Sequence, residues 1–199
     1  FYPDPDEELM KIKGNKKAVL ILSRNEYRKG FDIALKVINE LSDRWKDKIE
    51  IWTCGEELKG DILKAETRSF GWVNEDKLRK IVSSADFLFY PTRHEGLPLF
   101  PLEAMACGCP VVTTKAVTYA KDGHNALVAE IEDVDNLKEK LESILRDDIL
   151  KERLQKNGFK TVKECNIKES QMKFEKAVAD ILHLNSNLFP NKPTSVSSE

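Results

Sequence analysis

The chain has 199 residues, 41% of them hydrophobic and 33% charged, which is enough apolar content for a full core under a well-solvated surface. Its 32 Lys and Arg against 34 Asp and Glu leave a formal net charge of −2, so composition gives no electrostatic footing for a nucleic acid partner. There is no run of about 18 apolar residues that would cross a membrane. The opening Phe1-Tyr2-Pro3-Asp4-Pro5-Asp6 is not a signal sequence, and Cys54, Cys107, Cys109 and Cys165 are scattered instead of forming a framework. A cytoplasmic protein with reduced thiols is the expectation.

Strand and helix signals alternate along the chain. Ala18 to Leu22 is an apolar run of strand length, and Phe31, Ala34, Leu35, Ile38 and Leu41 then recur at helical spacing. Ile49 to Cys54 predicts a second strand and Thr67 to Phe70 a short third. Glu75 to Ala85 predicts a helix buried through Leu78, Ile81 and Val82, and Asp86 to Tyr90 a fourth strand. A short helix over Leu102 to Cys107 precedes a strand over Pro110 to Thr113. After the turn Asp122-Gly123-His124-Asn125 comes a last strand, Ala126 to Ala129. Leu137, Leu141, Ile144 and Leu145 mark a helical stripe. Asp147-Asp148 opens another helix, with Asn157-Gly158 as its expected end, and a final amphipathic helix spans Ile167 to Leu184. Asn185 to Glu199, rich in Ser, Asn and Pro, has too little apolar content to fold. This alternation predicts an α/β class, a single doubly wound parallel sheet.

Two loops carry chemistry. Ser23-Arg24-Asn25-Glu26-Tyr27-Arg28-Lys29-Gly30-Phe31 places cations at the carboxyl end of the first strand, where open α/β sheets bind ligands, although charged loop residues are as often merely solvated. The Gly96 to Pro101 loop joins a strand to a helix start, whose free N–H groups favour an anion. Pro98 and Pro101 have no N–H, which leaves Leu99, Phe100 and Leu102 as donors. Glu95 and Glu103 flank this loop, and an ionised carboxylate accepts both hydrogen bonds of a vicinal diol. On spacing alone, Glu103 could equally complement the helix dipole and Glu95 be a solvated loop residue. Cys107-x-Cys109 could suggest zinc, which needs about four ligands and could draw only on His94 and His124, but Cys107 ends a helix and Cys109 precedes a strand across Gly108, so small buried thiols explain both cysteines. His183 reads as a surface residue.

Glu95, seven intervening residues and Glu103, followed by Ala104-Met105-Ala106 and Gly108-x-Pro110-Val111-Val112, closely resemble the Glu-x7-Glu signature of retaining glycosyltransferases of the GT-B fold, in particular the family 4 type that uses nucleotide-sugar donors. The resemblance implies that Glu95 faces hydroxyls of the donor sugar, that Glu103 accepts from the ribose, and that Leu97, Leu99 and Phe100 adjoin the nucleotide. The Ser23 to Phe31 loop resembles the family's Gly-Arg-x4-Lys-Gly segment. Arg24 and Lys29 are then implied to hold the donor diphosphate and stabilise the departing charge, with Arg28 ranked below Lys29. Arg24, Lys29 and Glu95 are thus the implied catalytic set. Ser69-Phe70-Gly71-Trp72-Val73 matches the family's strand and turn near the nucleobase, which brings in Phe70, Gly71 and Trp72, although a Trp packed under a turn explains Trp72 as well. Gly55 matches the glycine after the second strand and lets a loop pass close to the ligand.

The departures are Ser23 where the family has Gly, Pro98 where many members have a second Gly, and Lys115 to Lys121 where a Gly-Gly-x-x-Glu stretch is usual. The last two bear on sugar identity. The resemblance covers Ala18 to Leu184 and matches only the second of the two Rossmann-like domains of a GT-B enzyme. It implies an interdomain linker over 1–17, a nucleotide-sugar-binding Rossmann-like domain over 18–164, a helix over 165–184 that crosses toward an N-terminal acceptor domain, and a disordered tail over 185–199. The implied function is the donor-binding half of a transferase for polysaccharide, lipid-linked glycan or glycoconjugate synthesis, with a UDP- or GDP-linked donor and no metal. Its implied partners are an N-terminal acceptor-binding domain, in the same or a separate chain, and the inner face of a membrane at its periphery. The apolar stripe Phe174, Ala177, Val178, Ile181 and Leu182 further implies self-association of the isolated domain. The alternatives are a stand-alone nucleotide or nucleotide-sugar binding module, one subunit of a two-chain transferase, or a sugar-nucleotide epimerase of the same fold.

Overall fold

The computed structural model describes residues 1–165 and 167–181. Residues Phe1–Val162 form one compact unit, and a second begins at Lys163. The first unit is built on six parallel strands, β1 (Lys17–Ser23), β2 (Ile49–Gly55), β3 (Thr67–Ser69), β4 (Phe87–Tyr90), β5 (Val111–Thr114) and β6 (Leu127–Ala129), in the order β3-β2-β1-β4-β5-β6. β2 and β3 are laid down on one side of β1, after which the chain crosses to the other side for β4. The strand order therefore reverses between β1 and β4, where a crevice opens at the carboxyl ends of an α/β sheet.

The strands are apolar on both faces because helices cover both. Val19, Ile21, Phe87 and Phe89 point into a core closed by α2 (Phe31–Trp45) and α5 (Val134–Arg146). Their neighbours Leu20, Trp52, Leu88 and Tyr90 point the opposite way, toward α3 (Glu75–Ser84) and α4 (Leu99–Ala106). At the amino end of the sheet Asp86 accepts the Ala18 N–H at 2.8 Å, Lys13 Nζ at 2.9 Å and Lys151 Nζ at 2.6 Å. Burial alone would raise its pKa, but the two ammonium groups outweigh that and hold the carboxyl below its usual range.

Several boundaries differ from expectation, each for a local reason. The expected linker contains α1 (Glu7–Lys13), capped by the Asp6 carboxylate, and is tied down by Asp4 N–H to Ser83 Oγ at 3.0 Å and Asp6 N–H to Ser84 Oγ at 2.8 Å. α4 begins at Leu99 and not Leu102, because Pro98 caps it and Pro101 is tolerated in a first turn. α6 (Asp148–Glu164) runs through Gly158 instead of ending there: a Cβ at Gly158 would lie 3.2 Å from Met105 Cγ, so this glycine serves close helix packing. In the second unit α7 spans Ile167–Ile181, with Met172 and Phe174 exposed. Leu182, His183, Leu184 and the expected tail lie outside the described residues. Cys54, Cys107 and Cys109 are buried and Cys165 is exposed, and no His, Cys, Asp and Glu cluster among the described residues could hold a metal.

Candidate functional site

The crevice at the strand reversal is an open cleft of about 340 Å³, lined in part by Leu22, Cys54 and Leu78. Its geometry begins with two glycines. Gly30 is left-handed at φ 67°, and a Cβ there would lie 1.9 Å from the Pro91 carbonyl oxygen, so only glycine lets the loop after β1 lie against the loop after β4. Gly55, at φ 123°, ends β2, and a Cβ there would meet the Ser23 carbonyl oxygen at 2.7 Å. The close approach at Gly55 is thus one of β2 to the end of β1, and Gly55 also lines the cleft.

The cationic loop is held rigidly. Its turn Tyr27–Lys29 is a 3-10 helix whose Arg28 carbonyl accepts from Thr92 Oγ1 and from the Arg93 N–H, both at 2.8 Å. The Arg93 guanidinium grips both oxygens of Asp32 at 2.7 Å, donates to the Tyr27 carbonyl at 2.7 Å and to Glu132, and stacks on the Tyr27 ring. This clamp aims Lys29 inward. Its ammonium lies 2.8 Å from Glu95 Oε1 and 3.1 Å from the Tyr90 hydroxyl. Tyr90 in turn donates to the same Glu95 oxygen at 2.5 Å, and Thr92 Oγ1 stands 3.0 Å from it. Burial by itself would raise the Glu95 pKa, yet the hydrogen bonds from Lys29 and Tyr90 prevail and keep it below the ordinary glutamate range.

Lys29 and Glu95, implied to serve different parts of a ligand, are therefore bonded to each other. Glu95 Oε1 takes all of these bonds, whereas Oε2 lies 3.7 Å from the Arg28 guanidinium. Across the cleft the α4 start supplies Pro98, Leu99, Phe100 and Glu103. With the helix beginning at Leu99, the open donors are the N–H groups of Leu99 and Phe100. Leu102 is the fourth residue of the helix, behind Pro101. Glu103 is half-buried, with no ion-pair partner among the described residues. Burial, and next the Glu75 carboxylate, raise its pKa.

Gly71, Trp72 and Val73 form the far wall. Trp72 is 67% exposed and carries the Arg24 guanidinium 4.8 Å from its ring centroid, so it is not packed under the turn. Phe70 is different: its ring meets Trp52 edge-on at 5.6 Å in the core and does not line the cleft. Leu97 is exposed and also stays off the cleft wall. Of the proposed positions, then, Arg24, Lys29, Gly55, Gly71, Trp72, Leu99, Phe100 and Glu103 line one cleft, and Glu95 lies behind Lys29. Tyr90 and Thr92 were not anticipated. Tyr90 closes an unbroken apolar strand and looks like core, and the only signal was a hydroxyl-bearing aromatic at the carboxyl end of a strand.

Residues 6–161 match the family model described as Glycosyl transferases group 1. An uncharacterized glycosyltransferase of Methanocaldococcus jannaschii is 24% identical over 192 residues, covering 91% of this chain and 53% of that protein. The lipopolysaccharide core biosynthesis glycosyltransferase LpsE of Rhizobium meliloti is 27% identical over 156 residues, covering 72% of this chain and 44% of its own. The chain thus spans about half the length of these relatives. Among solved structures, the C-terminal domain of the glycosyl transferase group 1 family protein LpcC from Francisella tularensis superposes with a TM-score of 0.70 at 20% identity, covering 83% of this chain and 95% of that one.

Proposed function

The chain belongs to the glycosyl transferases group 1 family, and on that premise we propose that it is the donor-binding half of a retaining, nucleotide-sugar-dependent glycosyltransferase. The observation that carries this reading is what lines the one cleft: Arg24 and Lys29, the α4 start with the N–H groups of Leu99 and Phe100, and the Glu103 carboxylate, which has no ion-pair partner among the described residues. A diphosphate needs cations and N–H donors, and a ribose diol needs an ionised carboxylate. The exposed Trp72 ring, which lines the same cleft as Glu103, suits the base. In the reaction the bond between the anomeric carbon and the diphosphate oxygen breaks as an acceptor hydroxyl oxygen bonds to that carbon and gives its proton to the departing diphosphate, and Arg24 and Lys29 stabilise the charge that develops on the leaving oxygen. Glu95 orients the sugar.

In this reading the donor is UDP- or GDP-linked, no metal takes part, and an N-terminal domain, in the same or a separate chain, binds the acceptor. No described helix is long and apolar enough to cross a membrane. We place the activity in the cytoplasm, with the complete protein working at the inner membrane face in polysaccharide or lipid-linked glycan synthesis. Calorimetric titration with UDP and with GDP, each with and without a chelator, tests the site. Binding that survives chelation is expected, and no binding of either at millimolar concentration overturns the reading.

A further inference from the structure

We propose that Tyr90 is a positioning residue for Glu95: its phenol ties Oε1 beside the Lys29 ammonium and so fixes the orientation of the carboxylate toward the sugar of the bound donor. This rests on the reading that a nucleotide-sugar occupies the cleft.

Proton bookkeeping sets the direction of each bond. An ammonium has donors and no acceptor, so at 3.1 Å the Tyr90 oxygen accepts from Lys29, and the single phenolic proton must go elsewhere. Glu95 Oε1, at 2.5 Å, is its partner. Lys29, Tyr90 and Glu95 thus close a directed triangle that requires an ionised carboxylate and a neutral phenol. Thr92 cannot replace the phenol, since its one hydroxyl proton is shared between the Arg28 carbonyl at 2.8 Å and Glu95 at 3.0 Å. The phenol is also fixed in place. Tyr90 is the last residue of β4 and 2% exposed, its ring packs against Phe100, and its carbonyl accepts from Thr113 Oγ1 at 2.7 Å. Burial, and then the Glu95 carboxylate, push the phenol's pKa far above the usual tyrosine range, so it keeps its proton.

The 199-residue chain is titrated with UDP, GDP, UDP-glucose and GDP-mannose between roughly pH 5 and 8, as wild type, Tyr90→Phe, Glu95→Ala and the double variant. Tyr90→Phe keeps the ring and should fold. It should lose about five- to tenfold in affinity for the sugar nucleotide beyond any change for the bare nucleotide, the scale of one ordinary net hydrogen bond. The loss should grow as pH falls, because Glu95 without the phenolic proton protonates at higher pH, and it should vanish on the Glu95→Ala background. A purely structural tyrosine would move neither the pH profile nor that coupling. An unchanged sugar-nucleotide affinity and pH profile in Tyr90→Phe, or an equal loss without Glu95, overturns the proposal while leaving the nucleotide site intact. A wild-type chain that binds no nucleotide removes the site and this proposal together. A second measurement needs no change at Tyr90: carbon-detected NMR titration of the Glu95 carboxyl should find it ionised below the ordinary glutamate range, and a midpoint at or above that range refutes the triangle.

Discussion

Removing Glu95 should separate the two halves of the donor in an unexpected direction. Glu95 is the carboxylate partner of Lys29, with side-chain exposures of 6% and 11%, so Glu95→Ala leaves the ammonium with the Tyr90 hydroxyl and the open cleft. Removing one member of a fully buried pair costs about 3–5 kcal/mol, but Lys29 borders solvent and retains one hydrogen bond, so roughly 1–3 kcal/mol of folding stability is expected to go. A diphosphate then meets a cation with no competing anion and no neighbouring negative charge. UDP or GDP should bind at least as tightly as in wild type, up to about tenfold tighter, which corresponds to ~1.4 kcal/mol. The sugar nucleotide, deprived of its carboxylate contact, should lose that advantage. Calorimetry with both ligand types reads the affinities, and thermal melts with and without UDP read the stability, which the nucleotide should largely restore. If Glu95→Ala weakened bare UDP or GDP as much as Glu103→Ala does, the division of roles between the two carboxylates would be wrong.

Nucleotide affinity should rise with pH through the elevated Glu103 pKa, since only the ionised carboxyl accepts both ribose hydroxyls, and titrations of Glu103→Gln should show that component flattened. Gly30→Ala should lower stability by roughly 2–4 kcal/mol and abolish nucleotide binding, because the left-handed backbone is strained and the new Cβ runs into Pro91, as urea melts and calorimetry would show. Asp86→Ala should cost roughly 3–5 kcal/mol by leaving Lys13 and Lys151 uncompensated, with the cleft unaffected. Its folded pKa is depressed, so the wild-type contribution is complete above the ordinary carboxylate range and lost as pH falls through the folded value. Acid melts of wild type and variant should therefore converge at low pH.

The amino-acid order alone determined the architecture, and it named most of the residues that line the candidate cleft. Strands buried on both faces must be continuously apolar, and Ala18 to Leu22, Ile49 to Cys54 and Asp86 to Tyr90 announce themselves for that reason. Cations after the first strand and carboxylates spaced across a loop-to-helix junction were likewise legible, because strand ends and helix starts are local features with local signals. Tertiary structure decided what local signals cannot carry. Gly158 has the look of a helix stop, but a methionine from α4 sits against it and the helix continues. Phe70 and Trp72 stand two residues apart in one matched motif, yet one ring is packed on Trp52 and the other is exposed under Arg24. Most of all, the order of residues gives no hint that Lys29 and Glu95, 66 positions apart, meet at 2.8 Å, or that Tyr90 holds them there. Their pairing depends on β4 lying beside β1 and on Gly30 letting the two following loops touch, and both are properties of the assembled sheet.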